Sequence, residues 1–86
     1  MKPPLTNEQE VLYTLIKKGY VTFMDFSYMQ GLRTRLSELR LRHGLKMETT
    51  KAQRNNKFGN TFTYHIHTLK DLEGAKKLYQ KLTVNN

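Results

Sequence analysis

The first part of the chain places apolar residues at helical spacing. One stripe is formed by Val11, Leu12, Leu15 and Ile16. Thr6 followed by Gln9 is the pattern of a capping box, which satisfies free backbone N–H groups at a helix start. Two lysines followed by Gly19 form a C-terminal signal, because glycine readily adopts positive φ. The pattern predicts a helix over residues 7–18.

Two shorter helices are predicted next. A short apolar pair at residues 20–21 is long enough for a bridge-like strand. Residues 22–25 repeat the capping pattern and open a predicted helix over residues 23–29. Its apolar side is formed by Phe23, Phe26 and Met29. After Gly31, a third helix is expected to end at Gly44. The residues on its inner face are Leu32, Leu36, Leu39 and His43.

From Leu45 the period of the pattern changes to two, which is typical of strands. In the first strand, apolar or small positions alternate with Lys46, Glu48 and Thr50. In the second, the alternating inner positions are Phe62, Tyr64 and Ile66. Residues 53–60 between them are polar, basic and rich in turn formers. This pattern predicts an antiparallel hairpin with a long loop.

A fourth helix is predicted near the end of the chain, with its cap in the segment from Thr68 to Asp71. Its expected inner face is Leu69, Leu72, Ala75, Tyr79 and Leu82. This face can cover the core or form the seam of a homodimer. We favour core cover, because so small a domain needs the buried area. Residues 1–5 and 83–86 are expected to be loose ends.

The order of elements predicts an α+β fold of the winged helix-turn-helix type. Two short helices joined by a turn of about three residues containing glycine are typical of a helix-turn-helix. The expected architecture is a three-helix core, a two-stranded antiparallel wing and an additional C-terminal helix. All 86 residues are expected to form this single domain.

Charge is concentrated in one part of the chain. The 15 Lys and Arg residues outnumber the 7 acids, which gives a net charge of +8. Residues 31–60 hold eight of those basic residues and only two of the acids, an excess of six. Such a patch on a small domain is expected of a protein that binds polyanions. The absence of cysteine, of a signal-peptide pattern and of a long apolar run favours a cytoplasmic location without membrane contact.

The basic residues suggest how the chain would contact DNA. The second helix of a helix-turn-helix lies in the major groove, with its first residues nearest the bases. The predicted base-reading residues are Arg33, Thr34 and Ser37. The predicted phosphate contacts are Arg35, Arg40, Arg42, Lys46 and Lys51. The predicted wing contacts are Gln53, Arg54, Asn55, Asn56 and Lys57. The alternatives are a solvated helix surface and a polar loop without a ligand.

A few residues fit this scheme less well. Leu41 is apolar on the outer side of the third helix, where it either packs under the hairpin or marks a partner surface. Phe58 is expected to pack within the hairpin rather than to contact a ligand. His65 and His67 share a strand face, but without a third ligand we expect solvent-facing histidines rather than a metal site. No catalytic set or cofactor motif stands out, so we expect no enzyme and no cofactor.

The segment Gly31-Leu32-Arg33-Thr34-Arg35-Leu36-Ser37-Glu38-Leu39-Arg40, closed by Gly44, resembles the small winged helix-turn-helix proteins of phages and prophages. Residues 21–25 are similar to the entry into the second helix of that family. The similarity covers roughly residues 6–67. It implies sequence-directed binding of double-stranded DNA, in transcriptional control or in phage excision and replication. Leu41 and the C-terminal helix depart from the family pattern.

Three functional hypotheses follow. The first is a DNA-binding regulator, either a monomer or a homodimer on a palindromic site. The second is an interaction module that binds an acidic host protein, with Leu41 and the outer side of the fourth helix as its surface. RNA binding is the weakest, because no aromatic-rich sheet for base stacking is predicted.

Overall fold

The computed structural model describes residues 1–26 and 31–86. Within them the chain is an α+β protein with three α-helices and an open, antiparallel three-stranded sheet of order β1-β3-β2. The elements are α1 (Asn7–Lys18), β1 (Tyr20–Val21), a 3-10 turn (Phe23–Phe26), α2 (Leu32–Ser37), a π-helical segment (Glu38–Arg42), β2 (Met47–Asn55), β3 (Thr61–Leu69) and α3 (Leu72–Leu82). The helix predicted over residues 23–29 is thus a 3-10 turn as far as Phe26, and its remainder lies outside the described residues.

Local signals define both ends of α1. Thr6 Oγ1 accepts a hydrogen bond from the N–H of Gln9 at 3.1 Å. Gly19 has a φ of 87° and donates its N–H to the carbonyl of Leu15, so it ends the helix as predicted. The Gln9 side chain closes no reciprocal bond to Thr6 but accepts from the N–H of Leu5 at 2.9 Å.

The arginine-rich helix has two parts, and we name residues 32–42 the arginine helix. Its first turns are α-helical and its last five residues, Glu38–Arg42, are π-helical. Leu36 and Leu39 remain buried through this change. Gly44, with a φ of 70°, ends the helix, and the N–H of Leu45 bonds back to the carbonyl of Leu39 at 3.0 Å.

The hairpin is longer and its loop shorter than the sequence suggested. Strands β2 and β3 pair from Met47↔Leu69 to Asn55↔Thr61, so residues 53–55 belong to the ladder and only residues 56–60 form the loop. Residues 53–55 are polar and exposed, so their pattern does not distinguish a strand from a loop. The other edge of β3 pairs with β1 through Tyr20↔Thr68 and Val21↔His67.

The core lies between α1, the arginine helix, the sheet and α3. Its buried apolar residues are Val11, Leu12, Leu15, Val21, Phe26, Leu36, Leu39, Leu45, Ala75 and Tyr79. The rings of Tyr13 and Tyr79 lie 5.7 Å apart, so α3 packs directly on α1. Helix α3 therefore covers the core, as favoured from the sequence.

Helix α3 begins later than predicted. Asp71, not Thr68, is its cap: Asp71 Oδ1 accepts the N–H of Gly74 at 3.0 Å. Thr68 is a strand residue paired with β1, and Leu69 is the last residue of β3. Leu72 is 45% exposed, so it does not belong to the inner face. A Cβ at Gly74 would lie 2.3 Å from Asp71 Oδ2, so the glycine makes room for the cap.

The two ends of the chain, expected to be loose, hydrogen-bond to each other. Lys2 Nζ donates to the carbonyl of Thr83 at 3.2 Å, and the Tyr79 hydroxyl donates to the carbonyl of Lys2. The amide of Asn86 donates to Gln9 Oε1 at 2.9 Å. Thr83 is buried, with 2% exposure.

Candidate nucleic-acid interface

A groove with basic walls runs between the arginine helix and the hairpin. It has a volume of about 260 Å³. Its lining residues are Arg33, Leu36, Ser37, Arg40, Thr49, His65 and His67. None of them is acidic. We name this feature the cationic groove.

The arginine helix and the hairpin bring these side chains together. Arg33 lies in the α-helical part and Arg40 in the π-helical part of the arginine helix, and both line the groove. On the hairpin, Thr49 pairs with His67, and directly paired residues project from the same face of a sheet. Arg33 and Arg40 are exposed, so both guanidinium groups are open to a ligand.

Both histidines line this groove; His65 is exposed, as expected, whereas His67 is partly covered. Their rings stack at 6.3 Å with an interplanar angle of 25°. His67 is half-buried, and its Nδ1 lies 3.1 Å from Thr49 Oγ1. Burial lowers the pKa of His67, and the nearby positive groups His65, Arg40 and Arg33 lower it further. No group of three or more potential metal ligands occurs in the described part of the chain.

Of the three residues predicted to read bases, Arg33 and Thr34 are exposed near the start of the arginine helix. Ser37 is half-buried and forms part of the groove wall. The structure therefore brings Arg33 and Ser37 together, whereas Thr34 lies outside the groove lining.

The predicted phosphate-binding residues fall into two groups. Arg40, Arg42, Lys46 and Lys51 are exposed. Arg35 is different, because its Nη1 bonds to both carboxylate oxygens of Glu38 at 3.2 Å. The Nε of Arg35 is buried without a hydrogen-bond partner. Its charge is already paired within the chain, so it is less available to an external anion.

Several predicted wing residues have structural partners. Asn56 Oδ1 accepts from the N–H groups of Phe58 and Asn60, at 2.9 and 3.0 Å, which closes the loop. Asn55 Oδ1 accepts from Thr61 Oγ1 at 2.7 Å. Asn56 Oδ1 thus accepts two hydrogen bonds within the loop, which leaves its amide N–H groups for a ligand, whereas Asn55 Oδ1 accepts one and retains a second acceptor position.

The basic wing residues project in different ways. Arg54 Nη1 donates to Met24 Sδ at 3.0 Å, which ties it to the 3-10 turn. Lys57 Nζ lies 5.1 Å from the centre of the Phe58 ring at the tip. Gln53 is exposed on the hairpin face that also carries Thr49 and His65.

Two apolar residues are more exposed than packing would require. Phe58 is 76% exposed, so the expectation that it packs within the hairpin is wrong. A five-residue loop closed by its own backbone offers no apolar surface to cover the ring. Leu41 is 83% exposed, which rules out the reading that it packs beneath the hairpin.

The opposite face of the hairpin is aromatic. Phe62 and Tyr64 lie 6.1 Å apart, and Phe23 from the 3-10 turn packs edge-on against both, at 6.4 and 6.0 Å. We name Phe23, Phe62 and Tyr64 the aromatic face. Alternation in the sequence places Phe62 and Tyr64 together, but nothing local indicates that Phe23 joins them.

Thr49, His65 and His67 line the groove but were not among the residues predicted for the site. The available signal was the alternation of side chains along a strand, which places Thr49 on the same face as the basic Lys51, and His65 on the same face as His67.

Within the described residues, every helix is too short or too polar to span a membrane. No family model matches this chain, and the searches of curated proteins and of solved structures return no match. The geometry of the site is therefore the basis for a functional conclusion.

Proposed function

We propose that this protein binds double-stranded DNA as a winged helix, with the arginine helix in the major groove and the hairpin as the wing. The observation that carries the proposal is the cationic groove. Two arginines of a helix and two histidines of a neighbouring β-ribbon border one open surface, and no carboxylate of the described residues lines it. Duplex DNA offers a dense row of phosphates to such a surface.

The two acids within residues 31–60, Glu38 and Glu48, are placed so that they do not neutralise the groove. Glu38 is paired with Arg35, and Glu48 lies 2.7 Å from Lys70 Nζ. Glu48 pairs with Thr68, so it projects from the hairpin face opposite Thr49 and His67. The negative charges are thus either paired or directed away, which leaves the positive potential of the groove uncompensated.

Within this proposal the exposed residues divide by role. Arg33 and Thr34, near the start of the arginine helix, read base edges with Ser37. Arg40, Arg42, Lys46 and Lys51 bind phosphates, and Arg35 contributes less because of Glu38. Lys57 at the hairpin tip contacts the neighbouring backbone or minor groove. The resemblance to phage-type winged helices adds a role as a cytoplasmic transcriptional regulator or an excision or replication accessory protein.

The test is duplex binding measured by fluorescence anisotropy over a range of salt. With about five phosphates neutralised, log affinity should fall with log salt at a slope of roughly −4 to −5. Selection from a random duplex library at fixed salt then reveals a motif, and inverted symmetry in it would indicate a dimer. A slope indistinguishable from zero contradicts the proposal.

A matched pair of variants separates reading from positioning. R33A should relax the base preference in the selected motif, by about 1–3 kcal/mol at one position. K57A removes one charge at the tip and should weaken binding on every duplex alike, with the salt slope smaller by about one. Equal effects of both variants on preferred and unrelated duplexes would remove the assignment of Arg33 as a base reader.

The exposure of Leu41 favours a second candidate, a module that binds an acidic host protein. A leucine 83% exposed between two exposed arginines is suited to an apolar anchor with a basic rim. The measurement is capture from lysate after nuclease treatment, with wild type and L41E side by side. Capture that survives nuclease and is lost in L41E supports this candidate, and loss of capture on nuclease treatment supports DNA.

A further inference from the structure

Within the cationic groove, the stacked histidines stand out because they are placed among arginines rather than beside acids. His67 is flanked by His65 on its own strand and by Thr49 on β2. Arg33 and Arg40 of the arginine helix line the same groove. Such an arrangement disfavours a charged imidazole until an anion is present.

We propose that the cationic groove holds one backbone phosphate of the bound duplex, and that His67 takes up a proton when that phosphate binds. The inference rests on the proposed DNA-binding function and specifies where one phosphate sits. The geometry supplies the required groups: the Arg40 guanidinium on one wall, next to the base-reading Arg33, and a hydroxyl and two imidazoles on the other. A phosphate has enough acceptor oxygens to engage both walls at once.

The surroundings of His67 explain the direction of the effect. The free protein keeps the pKa of His67 below its ordinary value of 6.5, through burial and then through His65, Arg40 and Arg33. The remaining neighbours supply no negative charge: Lys51 pairs with His65, and Val21 of β1 pairs with His67 itself. A phosphate in the groove offsets the repulsion and accepts a hydrogen bond from the imidazolium, so binding raises the pKa of His67.

Linkage then gives the expected behaviour. If phosphate binding favours the protonated imidazole, protonation favours phosphate binding by the same factor. Duplex affinity should increase as the pH is lowered from about 7.5 to 5.5, by at most about tenfold per pH unit for one proton. Wild-type binding that is independent of pH in this range overturns the inference while leaving the proposed function intact.

Two glutamine variants make the assignment specific. H67Q retains a polar side chain that cannot gain charge, so its affinity should change little over the same range. H43Q is the matched control, because His43 lies outside the groove with its Nε2 3.6 Å from Glu8 Oε1, and it should keep the wild-type pH dependence. Circular dichroism establishes that each variant is folded. A pH dependence that persists in folded H67Q assigns the proton elsewhere and overturns the inference.

Calorimetry on the wild-type protein measures proton uptake on duplex binding directly, without any variant. Titration with duplex at about pH 6.5, in two buffers with different heats of ionisation, counts the protons taken up. We expect an uptake between about half a proton and one proton. No uptake contradicts the assignment even if the variants fail to fold.

Inorganic phosphate distinguishes a phosphate site from a duplex-specific effect. The ring signals of His67 are followed by NMR against pH, in phosphate and in chloride of equal ionic strength. A higher pKa in phosphate, together with pH-dependent duplex binding, supports the inference. If the protein binds no duplex, the proposed function fails; a higher pKa in phosphate then assigns the groove to free phosphate, and an unchanged pKa removes the site altogether.

Discussion

Along the β2–β3 hairpin, one face carries Thr49, Lys51, His65 and His67, whereas the other carries Phe62 and Tyr64. The first borders the arginine helix and remains polar and open. The second is covered in part by Phe23. The face that carries the basic residues also carries Met47 and Leu69, which pack against the core, so this one face both anchors the ribbon to the domain and borders the cationic groove.

The difference teaches that the two faces depend on each other. Strand side chains alternate, so a slip of one residue between β2 and β3 would exchange the faces. The register is held at one end by Met47 and Leu69, which pack against the core, and at the other by the closed loop. Met47 and Leu69 share their face with Thr49 and His67, so core packing at the base of the hairpin determines which side chains the cationic groove presents.

The largest expected effect comes from removing charge on the groove side. R33A/R40A should weaken duplex binding by roughly 2–4 kcal/mol, about 30- to 1000-fold, because two charge-assisted contacts are lost. The matched control is R54A, which removes the same group from the aromatic side, where Arg54 bonds to Met24. We expect R54A to lose less than about fivefold in anisotropy titrations. An equal loss per arginine on both sides would mean that the two faces do not differ in binding.

A smaller effect is expected on the aromatic side, and in stability rather than in binding. F62A removes a half-buried ring together with its contacts to Phe23 and Tyr64. Urea denaturation should show a loss of about 1–2 kcal/mol in the free energy of unfolding. F58A at the exposed tip is the control and should stay within about 0.5 kcal/mol of wild type. Equal destabilisation by both variants would contradict the anchoring role of the aromatic face.

The smallest expected effect concerns the turn that carries Phe23. Partial burial tends to raise the pKa of Asp25, but hydrogen bonds from Lys18 and from the N–H of Thr22 outweigh it, so the pKa lies below 3.8. A lowered pKa in the folded state stabilises the protein above the ordinary value, and this contribution is lost as the pH falls through the folded value. D25N should lower Tm by about 2–4 °C at pH 6.

The pH dependence provides the check on that interpretation. The difference in Tm between wild type and D25N should shrink as the pH falls below 3.8 and through the lower pKa of the folded carboxyl, because the wild-type side chain then becomes neutral as well. Thermal melts at matched ionic strength measure it. A difference that stays constant over this range would mean that the side-chain shape, and not the charge of Asp25, supports the turn.

Elements with local signals could be predicted from the sequence. Helix α1 begins after Thr6 and ends at Gly19 because a hydroxyl cap and a positive-φ glycine act on neighbouring residues alone. Alternation likewise placed both hairpin strands. In residues 68–71, both Thr68 and Asp71 are suitable caps for α3. Thr68 pairs with β1 in the sheet, so Asp71 is the cap. That choice depends on residues nearly fifty positions away.

The candidate site was predictable in its basic residues but not in its arrangement. A uniform helical step places Ser37 and Glu38 on the outer side, yet both are half-buried where the π-helical segment begins. A π-helical turn holds more residues than an α-helical turn, so it rotates the side chains that follow around the helix axis. No local sequence pattern predicts a π-helical turn here. The entry of His67 into the groove follows from the docking of the hairpin beside the arginine helix, which is a tertiary event.

The clamp formed by Asn56 at the hairpin tip has a consequence for the thermodynamics of association. One carboxamide oxygen holds two backbone N–H groups, and Gly59 takes a φ of 81° to complete the loop. The tip is thus preorganised, and contact with a ligand requires little loss of backbone entropy there. For the proposed DNA contact, replacing Asn56 would transfer that ordering from the folding step to the binding step, a cost to affinity that is separate from the loss of any contact made by its own amide.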